Sequence, residues 1–305
     1  MARPVCLVSG SSSGIGAAVV REFAARGHDV VVHYHTGAER AAELAAALER
    51  DFGIAPLVLG GDLARSAAAA ELVDAAYAHF GRLDVLVSNS GVSSYVADAS
   101  GRLARFRFHE TPLDHLEREF ARALELNLKG AYRLVQRGLA RMLEQAAAER
   151  QRGAEPAHRS ILFITSISDI APDPTRVPYG VSKAGLSHVV LSAALEGGPQ
   201  NITVNALRPG VVDTPMTRRP SGLRDPLDGH EYTVAEVYAL MAAGGAQPIR
   251  RIAIPAEIAH AAYCFTQIPY MTGQLIAVDG GFTLASGFAN RELFLREGQR
   301  RRAQI

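Results

Sequence analysis

Apolar runs of strand length alternate with helix-forming stretches along the whole 305-residue chain. The runs "VCLV" (Val5 to Val8), "DVVVHY" (Asp29 to Tyr34), "PLVLG" (Pro56 to Gly60), "DVLVS" (Asp84 to Ser88), "SILFIT" (Ser160 to Thr165), "ITVNAL" (Ile202 to Leu207) and "QLIAVD" (Gln274 to Asp279) predict strands. Between them, stretches such as "AERAAELAAALERDF" carry the Ala, Leu, Glu and Arg that favour helix. Strands that are apolar at every position, rather than at every second one, are buried on both faces. Such strands alternating with helices build a parallel sheet with helices packed on each side.

The predicted fold is therefore α/β, a Rossmann-type doubly wound parallel seven-stranded sheet with helices on both faces. No internal repeat or shift of composition divides the chain, which predicts a single domain over residues 1–305. Residues 92–112 form an unusually long connection after the fourth strand, and residues 144–159 extend a helix into a polar loop. Residues 213–250 hold Gly, Pro and charge before the helix-like "TVAEVYALMAA", and residues 285–305 form a C-terminal extension. Long connections in compact α/β domains are commonly lids or binding loops, so 92–112 and 213–250 are candidate substrate covers.

Composition narrows the partners. Lys and Arg number 32 against 31 Asp and Glu, a balance that gives no electrostatic case for nucleic acid. The basic cluster of Arg296 and Arg300 to Arg302 reads as a solvated tail. Cys6 and Cys264 lie in apolar surroundings without metal-ligand spacing and read as core residues of a reduced, cytoplasmic protein. No apolar run reaches the length of a membrane span, and the N-terminus enters a strand directly, without a signal peptide's apolar region.

The chemistry is concentrated where strands end. "SGSSSGIG" follows the first strand, with Gly10, Gly14 and Gly16 in a GxxxGxG spacing. Such a turn lets the backbone approach a pyrophosphate, and the helix after it presents free N–H groups and a positive dipole end. Ser11, Ser13 and Ile15 complete that candidate cradle. "GGDLA" places Asp62 and Leu63 at the end of the third strand, beside an adenine site, and "SNSG" places Asn89, Ser90 and Gly91 at the end of the fourth. "ELNLKGAY" sets Asn127 inside an apolar helix, where a buried amide needs partners. Ser166 in "TSISD" ends the fifth strand; Pro209 and Gly210, then Val212 and Thr214 in "LRPGVVDTPM", follow the sixth, placed to meet a nicotinamide carboxamide. Singly, each residue has a structural explanation as a helix cap, a turn residue or a buried amide. Together they fall in order at the carboxyl ends of successive strands, where open α/β sheets bind ligands.

The stretch "YGVSK" supplies the reactive pair. On a helix, Tyr179 and Lys183 stand four residues apart and share one face. A cation beside a phenol favours the phenolate and turns a reluctant acid into a usable one.

Taken as a set, GxxxGxG, "SNSG", the in-helix Asn, Ser, YxxxK and "RPG" resemble the short-chain dehydrogenase/reductase family in its single-domain form, from about residue 4 to about residue 284. Within it, the ending "YMTGQLIAVDGG" is similar to ketoreductases of the 3-oxoacyl-acyl-carrier-protein reductase type. The resemblance implies that Tyr179 gives the proton to the carbonyl oxygen and that Lys183 holds the nicotinamide ribose and lowers the Tyr179 pKa. It implies further that Ser166 bonds the substrate oxygen and that Asn127 keeps a water linking Lys183 to solvent. It also implies a homotetramer or homodimer built on the helices around Leu113 to Leu143 and Pro178 to Leu195. Two motifs depart from the family pattern: Ser9-Gly10 stands for its usual Thr-Gly, and Ser88-Asn89-Ser90-Gly91 for Asn-Asn-Ala-Gly.

At the end of the second strand an acidic residue would grip the adenosine ribose 2′-hydroxyl and repel a 2′-phosphate. This chain has Tyr34, His35 and Thr36 there, which favours NADP(H) over NAD(H), with Ser11, His35, Thr36 and Arg40 as phosphate contacts. The expected activity is NADPH-dependent reduction of a small carbonyl substrate, of 3-oxoacyl or another type, to a secondary alcohol. Two rivals are an NAD-dependent sugar or polyol dehydrogenase and a nonenzymatic nucleotide-binding protein. Arg102, Arg105 and Arg107 in the 92–112 segment, with Arg218, Arg219, Arg224 and Arg250 near the lid, are either attractors for an anionic substrate or ordinary surface.

Overall fold

The computed structural model describes residues 3–93, 108–285 and 291–302. Arg102, Arg105 and Arg107 lie outside them, as do parts of the 92–112 segment and of the C-terminal extension.

In chain order the elements are β1 (Val5–Val8), α1 (Gly14–Ala25), β2 (Asp29–Tyr34), α2 (Ala38–Phe52), β3 (Leu57–Gly60), α3 (Ala68–Phe80) and β4 (Val85–Ser88). After the 92–112 connection come α4 (Leu113–Ala123), α5 (Ala131–Gln151), β5 (Arg159–Ile164), α6 (Val177–Gly197) and β6 (Ile202–Pro209). Residues 213–250 hold β7 (Pro220–Arg224), β8 (Glu231–Thr233) and α7 (Val234–Met241). The chain continues through α8 (Pro255–Thr266), β9 (Leu275–Val278), the single turn α9 (Phe282–Ala285) and α10 (Arg291–Arg302).

The main sheet has seven strands in the order β3-β2-β1-β4-β5-β6-β9, all parallel. Alternate side chains of a strand point to opposite faces, and β1 shows how this builds two cores. Val5 and Leu7 pack with α3, α5 and α6 residues such as Leu72, Leu134 and Leu186. Cys6 and Val8 pack on the other face with Val20 of α1, Ala41 of α2 and Ile258 of α8. The chain runs β1 to β3 in one direction and then crosses back, so that β4 pairs with the free side of β1. The crevice between β1 and β4 at their carboxyl ends is where such a sheet leaves room for a ligand.

Several elements differ from the sequence expectation. The run read as one helix around Leu113 to Leu143 is α4 and α5 joined by a π-helical turn, Leu124–Gly130. The 213–250 segment contains a small antiparallel pair, β7 with β8, that its Gly and Pro content concealed. Cys6 is buried as expected, but Cys264 is exposed on α8. The basic tail is not wholly solvated either. Helix α10 packs on α7, Leu295 joins the apolar cluster that holds Tyr238 and Met241, and Arg302 Nη1 lies 3.3 Å from Asp225 Oδ2. Among the described residues no helix is long and apolar enough to cross a membrane.

Candidate active site

A cleft of about 470 Å³ opens at the carboxyl ends of β1, β4 and β5. One end is formed by the glycine turn after β1. Gly10 sits at φ +64°, a conformation that side chains resist, and a Cβ there would also meet Ser90 Oγ at 2.8 Å. "SNSG" holds this turn from below: Asn89 Nδ2 donates to the carbonyls of Ser9 at 2.9 Å and Gly10 at 3.1 Å. In return, Ser9 Oγ accepts from the backbone N–H groups of Asn89 and Ser90. Helix α1 begins at Gly14 without a side-chain cap from Ser13 and with no acidic residue in its first turn. Its first N–H groups and positive dipole end are thus left for an anion, and Gly14 and Ile15 line the cleft beside Ser13. These features suit the pyrophosphate of a dinucleotide.

Beside the turn, a Cβ at Gly37 would meet Arg40 Nη2 at 2.6 Å and Ser12 Oγ at 3.0 Å, so the guanidinium and the hydroxyl converge there. His35 and Thr36 line the same corner, and Asp62 Oδ2 stands 3.9 Å from His35 Nε2. The residues that end β2, Tyr34, His35 and Thr36, include no carboxylate, and the nearest one in this corner is that of Asp62, from the end of β3.

The other end of the cleft gathers Ser166, Tyr179 and Lys183, exposed by only 9%, 8% and 3%. Lys183 Nζ donates to the Ile164 carbonyl at 3.2 Å and lies 5.7 Å from the centroid of the Tyr179 ring. Ser166 Oγ accepts from the Ser168 N–H and donates to Ser168 Oγ, both at 3.1 Å, which fixes the hydroxyl at the mouth of β5. The turn behind it is braced by an ion pair: Arg208 Nε donates to Asp169 Oδ2 at 2.7 Å, and Ser187 Oγ donates to the same oxygen at 2.7 Å.

Asn127 is fully buried in the π turn and does not line the cleft. Its Oδ1 accepts from the Val92 N–H at 2.8 Å, while Nδ2 donates to the Val92 carbonyl and to Ser182 Oγ, each at 3.0 Å. Both amide protons are consumed by protein, so its side chain has no donor to spare for a relay water. What the amide does is join the exit of β4 to α6, where Ser182 precedes Lys183.

Of the remaining sequence-derived positions, Leu63, Ser90, Gly91, Pro209, Gly210, Val212 and Thr214 line the cleft, and Asn89 does so as well. Ser11, Gly16 and Tyr34 do not. The Ser11 hydroxyl is buried, donating to the Val8 carbonyl at 2.9 Å and accepting from the His33 N–H at 2.9 Å, and is unavailable to a phosphate. Tyr34 lies against Gly60 of β3. In the serine run it is Ser12 and Ser13 that line the cleft.

Sequence reasoning also passed over His33. Its Nδ1 accepts from the Gly10 N–H at 3.0 Å, so its proton must reside on Nε2, which donates to the Gly61 carbonyl at 3.0 Å. The neutral ring thereby ties the glycine turn to the exit of β3. Burial, with a smaller contribution from His35, holds the His33 pKa down at about 4 against the bond to Gly61. Because the unfolded chain takes up this proton first, the stability that His33 contributes is complete above its unfolded pKa of about 6.5 and drains away as pH falls toward 4. Between pH 7 and pH 5 the protein is expected to lose about 2 kcal/mol more than His33→Gln does, measured by urea unfolding. Equal losses would show that the ring is not neutral and buried in solution.

Comparison with known proteins accounts for most of the chain. A family model described as Enoyl-(Acyl carrier protein) reductase matches residues 10–283. The chain is 31% identical over 284 residues to 3beta-hydroxysteroid dehydrogenase 1 of Eggerthella lenta, across 92% of this chain and 94% of that one. It is 33% identical over 285 residues to cis-4-hydroxycyclohexanecarboxylate dehydrogenase of Sinomonas cyclohexanicum, across 92% and 97%. Among solved structures, the 3-oxoacyl-[acyl-carrier protein] reductase of Brucella melitensis in complex with NAD superposes with a TM-score of 0.77 at 27% identity, covering 94% of this chain and 99% of that one.

Proposed function

The chain belongs to the short-chain dehydrogenase/reductase family, and from that premise we propose that it reduces a ketone to a secondary alcohol with NADPH. Membership makes it an oxidoreductase of alcohol and carbonyl groups. The direction, the cofactor phosphate and the residue roles are our reading. One observation carries it: buried Ser166, Tyr179 and Lys183 line the same cleft as the open N-terminus of α1.

Bound in this cleft, a nicotinamide supplies the hydride. The protein must then hold the carbonyl, give one proton to its oxygen and stabilise the charge that develops there. In our assignment the Tyr179 phenol gives the proton, and the Ser166 hydroxyl turns its proton from Ser168 Oγ to donate a hydrogen bond to the same oxygen. The C–O double bond becomes a single bond, carbon gains the hydride and oxygen gains the phenol proton. The Lys183 ammonium holds the ribose hydroxyls and stabilises the phenolate left behind. Asn127 is a positioning residue, acting through Val92 and Ser182. The N–H groups of Gly14 and Ile15 take the pyrophosphate, and Ser12, Thr36, His35 and Arg40 take the 2′-phosphate.

Arg40→Met tests the cofactor assignment. Losing one charge-assisted contact at an exposed corner should weaken NADPH binding about tenfold and change NADH binding less than twofold. An equal effect on both would favour the NAD-dependent dehydrogenase reading.

The expected assembly is a homotetramer in the cytoplasm. Exposed apolar side chains on α5 and α6, Tyr132, Val181, Leu191 and Leu195, support helix-to-helix contact between copies, and β9 leaves an apolar sheet edge at Ile276.

A further inference from the structure

One carboxylate behind the cleft ties together the three elements that carry the assigned roles. Asp169 closes the short turn Ile167–Asp169 that follows Ser166, and its side chain is 1% exposed. Its Oδ2 accepts from Arg208 Nε of β6 and from Ser187 Oγ of α6, each at 2.7 Å. Ser187 stands one helical turn beyond Lys183 and two beyond Tyr179, on the same side of α6. Arg208 directly precedes Pro209 and Gly210, which line the cleft, and its Nη1 donates to the Leu275 carbonyl at 3.0 Å. The turn meets α6 a second time beside Tyr179: a Cβ on Gly180 would come within 3.2 Å of the Ser168 carbonyl oxygen. It is thus held against α6 at two heights, next to Tyr179 and one turn past Lys183.

Stability alone is a poor reason for this arrangement. A buried ion pair gives up the hydration of both groups, and apolar side chains of similar volume often serve a fold as well or better. Here the cost is higher still, because Asp169 Oδ1 is buried without a hydrogen-bond partner among the described residues. What directed bonds supply, and apolar packing does not, is a fixed distance between turn and helix. Two hydroxyls that bond one carbonyl oxygen at about 2.8 Å each can stand no more than about 5.6 Å apart. Ser166 reaches that oxygen from the turn and Tyr179 from α6, so the spacing of the two elements decides whether both arrive together. A misplacement of about 1 Å can cost about 100-fold in rate.

We propose that Asp169 is a positioning residue for the reaction: through Ser187 and Arg208 it sets the spacing of the Ser166 hydroxyl from the Tyr179 phenol. Asp169, Ser187 and Arg208 do not line the cleft, so they act through the two hydroxyls and not on the substrate. The inference rests on the hydride-transfer reading of the site and adds to it the group that keeps its two hydroxyls in register.

The test replaces the ion pair by apolar side chains, Asp169→Leu together with Arg208→Met. It follows reduction by NADPH of the best ketone from a panel that includes cyclohexanone and ethyl 3-oxobutanoate. The kcat is expected to fall about 30-fold, while the Kd for NADPH changes less than about threefold and the urea-unfolding midpoint stays close to that of the wild type. Asp169→Asn, which keeps an acceptor oxygen, should retain more of the rate, and Ser187→Ala, which cuts only the tie to α6, should lower kcat about fivefold. A merely structural role would act alike in every background. In Ser166→Ala there is no hydroxyl left to position, so the double replacement should cost less than about threefold more. An unchanged kcat in the double replacement, or its full loss repeated in Ser166→Ala, overturns the proposal. If the double replacement does not fold, Ser187→Ala carries the same comparison: a loss seen only with Ser166 present supports the proposal, and no loss, or equal losses with and without Ser166, overturns it. If the wild type binds NADPH yet reduces no ketone of the panel, the hydride-transfer reading fails, and crystal structures of the wild type and of Ser187→Ala decide the positioning. A separation of Ser166 Oγ from Tyr179 Oη that changes by about 0.5 Å or more supports it, and an unchanged separation overturns it.

Discussion

Tyr179→Phe is expected to lower kcat about 1,000-fold while changing the Kd for NADPH less than threefold. The substitution removes one oxygen and keeps the ring, whose surroundings are fixed on several sides. Tyr179 is 8% exposed, Arg176 lies over its face, and its own backbone carbonyl accepts from Ser182 Oγ at 2.7 Å. Phe therefore fits the same space without a new cavity, and the loss reads the missing proton donor rather than a collapsed site. Single-turnover reduction of a good ketone, with NADPH affinity measured separately, checks this. An unchanged rate would mean that the proton comes from elsewhere.

The second large effect is expected at Gly16. A Cβ there would lie 2.5 Å from the Gly10 carbonyl oxygen, 2.6 Å from Asn89 Nδ2 and 2.8 Å from Ser11 Cα. Two of these neighbours are backbone, and the third is the amide that holds the turn, so none can swing aside. Gly16→Val must push α1 away from the turn after β1. The expected result is a rise of at least about 100-fold in the Kd for NADPH, with about 2 kcal/mol lost from stability. Gly16 does not line the cleft, so the effect arises through the shape of the turn and not through a lost contact. Wild-type affinity in this variant would remove the glycine turn from the cofactor site.

Much of this was legible in the chain because the signals are local. Val5 to Val8 and Val30 to Val32 are apolar at consecutive positions, which only a strand buried on both faces explains, and the structure buries them all. The YxxxK spacing works for the same reason: on α6 the geometry of an i, i+4 pair is set by the helix itself. What stayed hidden depends on contacts between distant segments. In "SGSSSGIG", which serine turns inward is decided by the Val8 carbonyl and the His33 N–H of the neighbouring strand, so Ser11, expected as a phosphate contact, is buried and Ser12, to which the sequence assigned nothing, lines the cleft. His33 reads as one more strand residue until the pairing of β1 with β2 brings it to Gly10. The π turn has the composition of ordinary helix, and only the tie from Asn127 to Val92 shows why an extra residue is accommodated there. Arg176 lies in the Pro-containing stretch before α6, where nothing local indicates that it will lie over the ring of Tyr179.

On our reading, this cleft passes hydride between a nicotinamide and a carbonyl carbon. Incubating the wild type with NADPH carrying deuterium at the transferable C4 position, with a panel of ketones and oxo acids, tests it most directly by mass spectrometry of the alcohols formed. One deuterium on the carbinol carbon of at least one product, lost in Tyr179→Phe, is the predicted result. Bound NADPH that keeps all its deuterium across the panel would contradict the account.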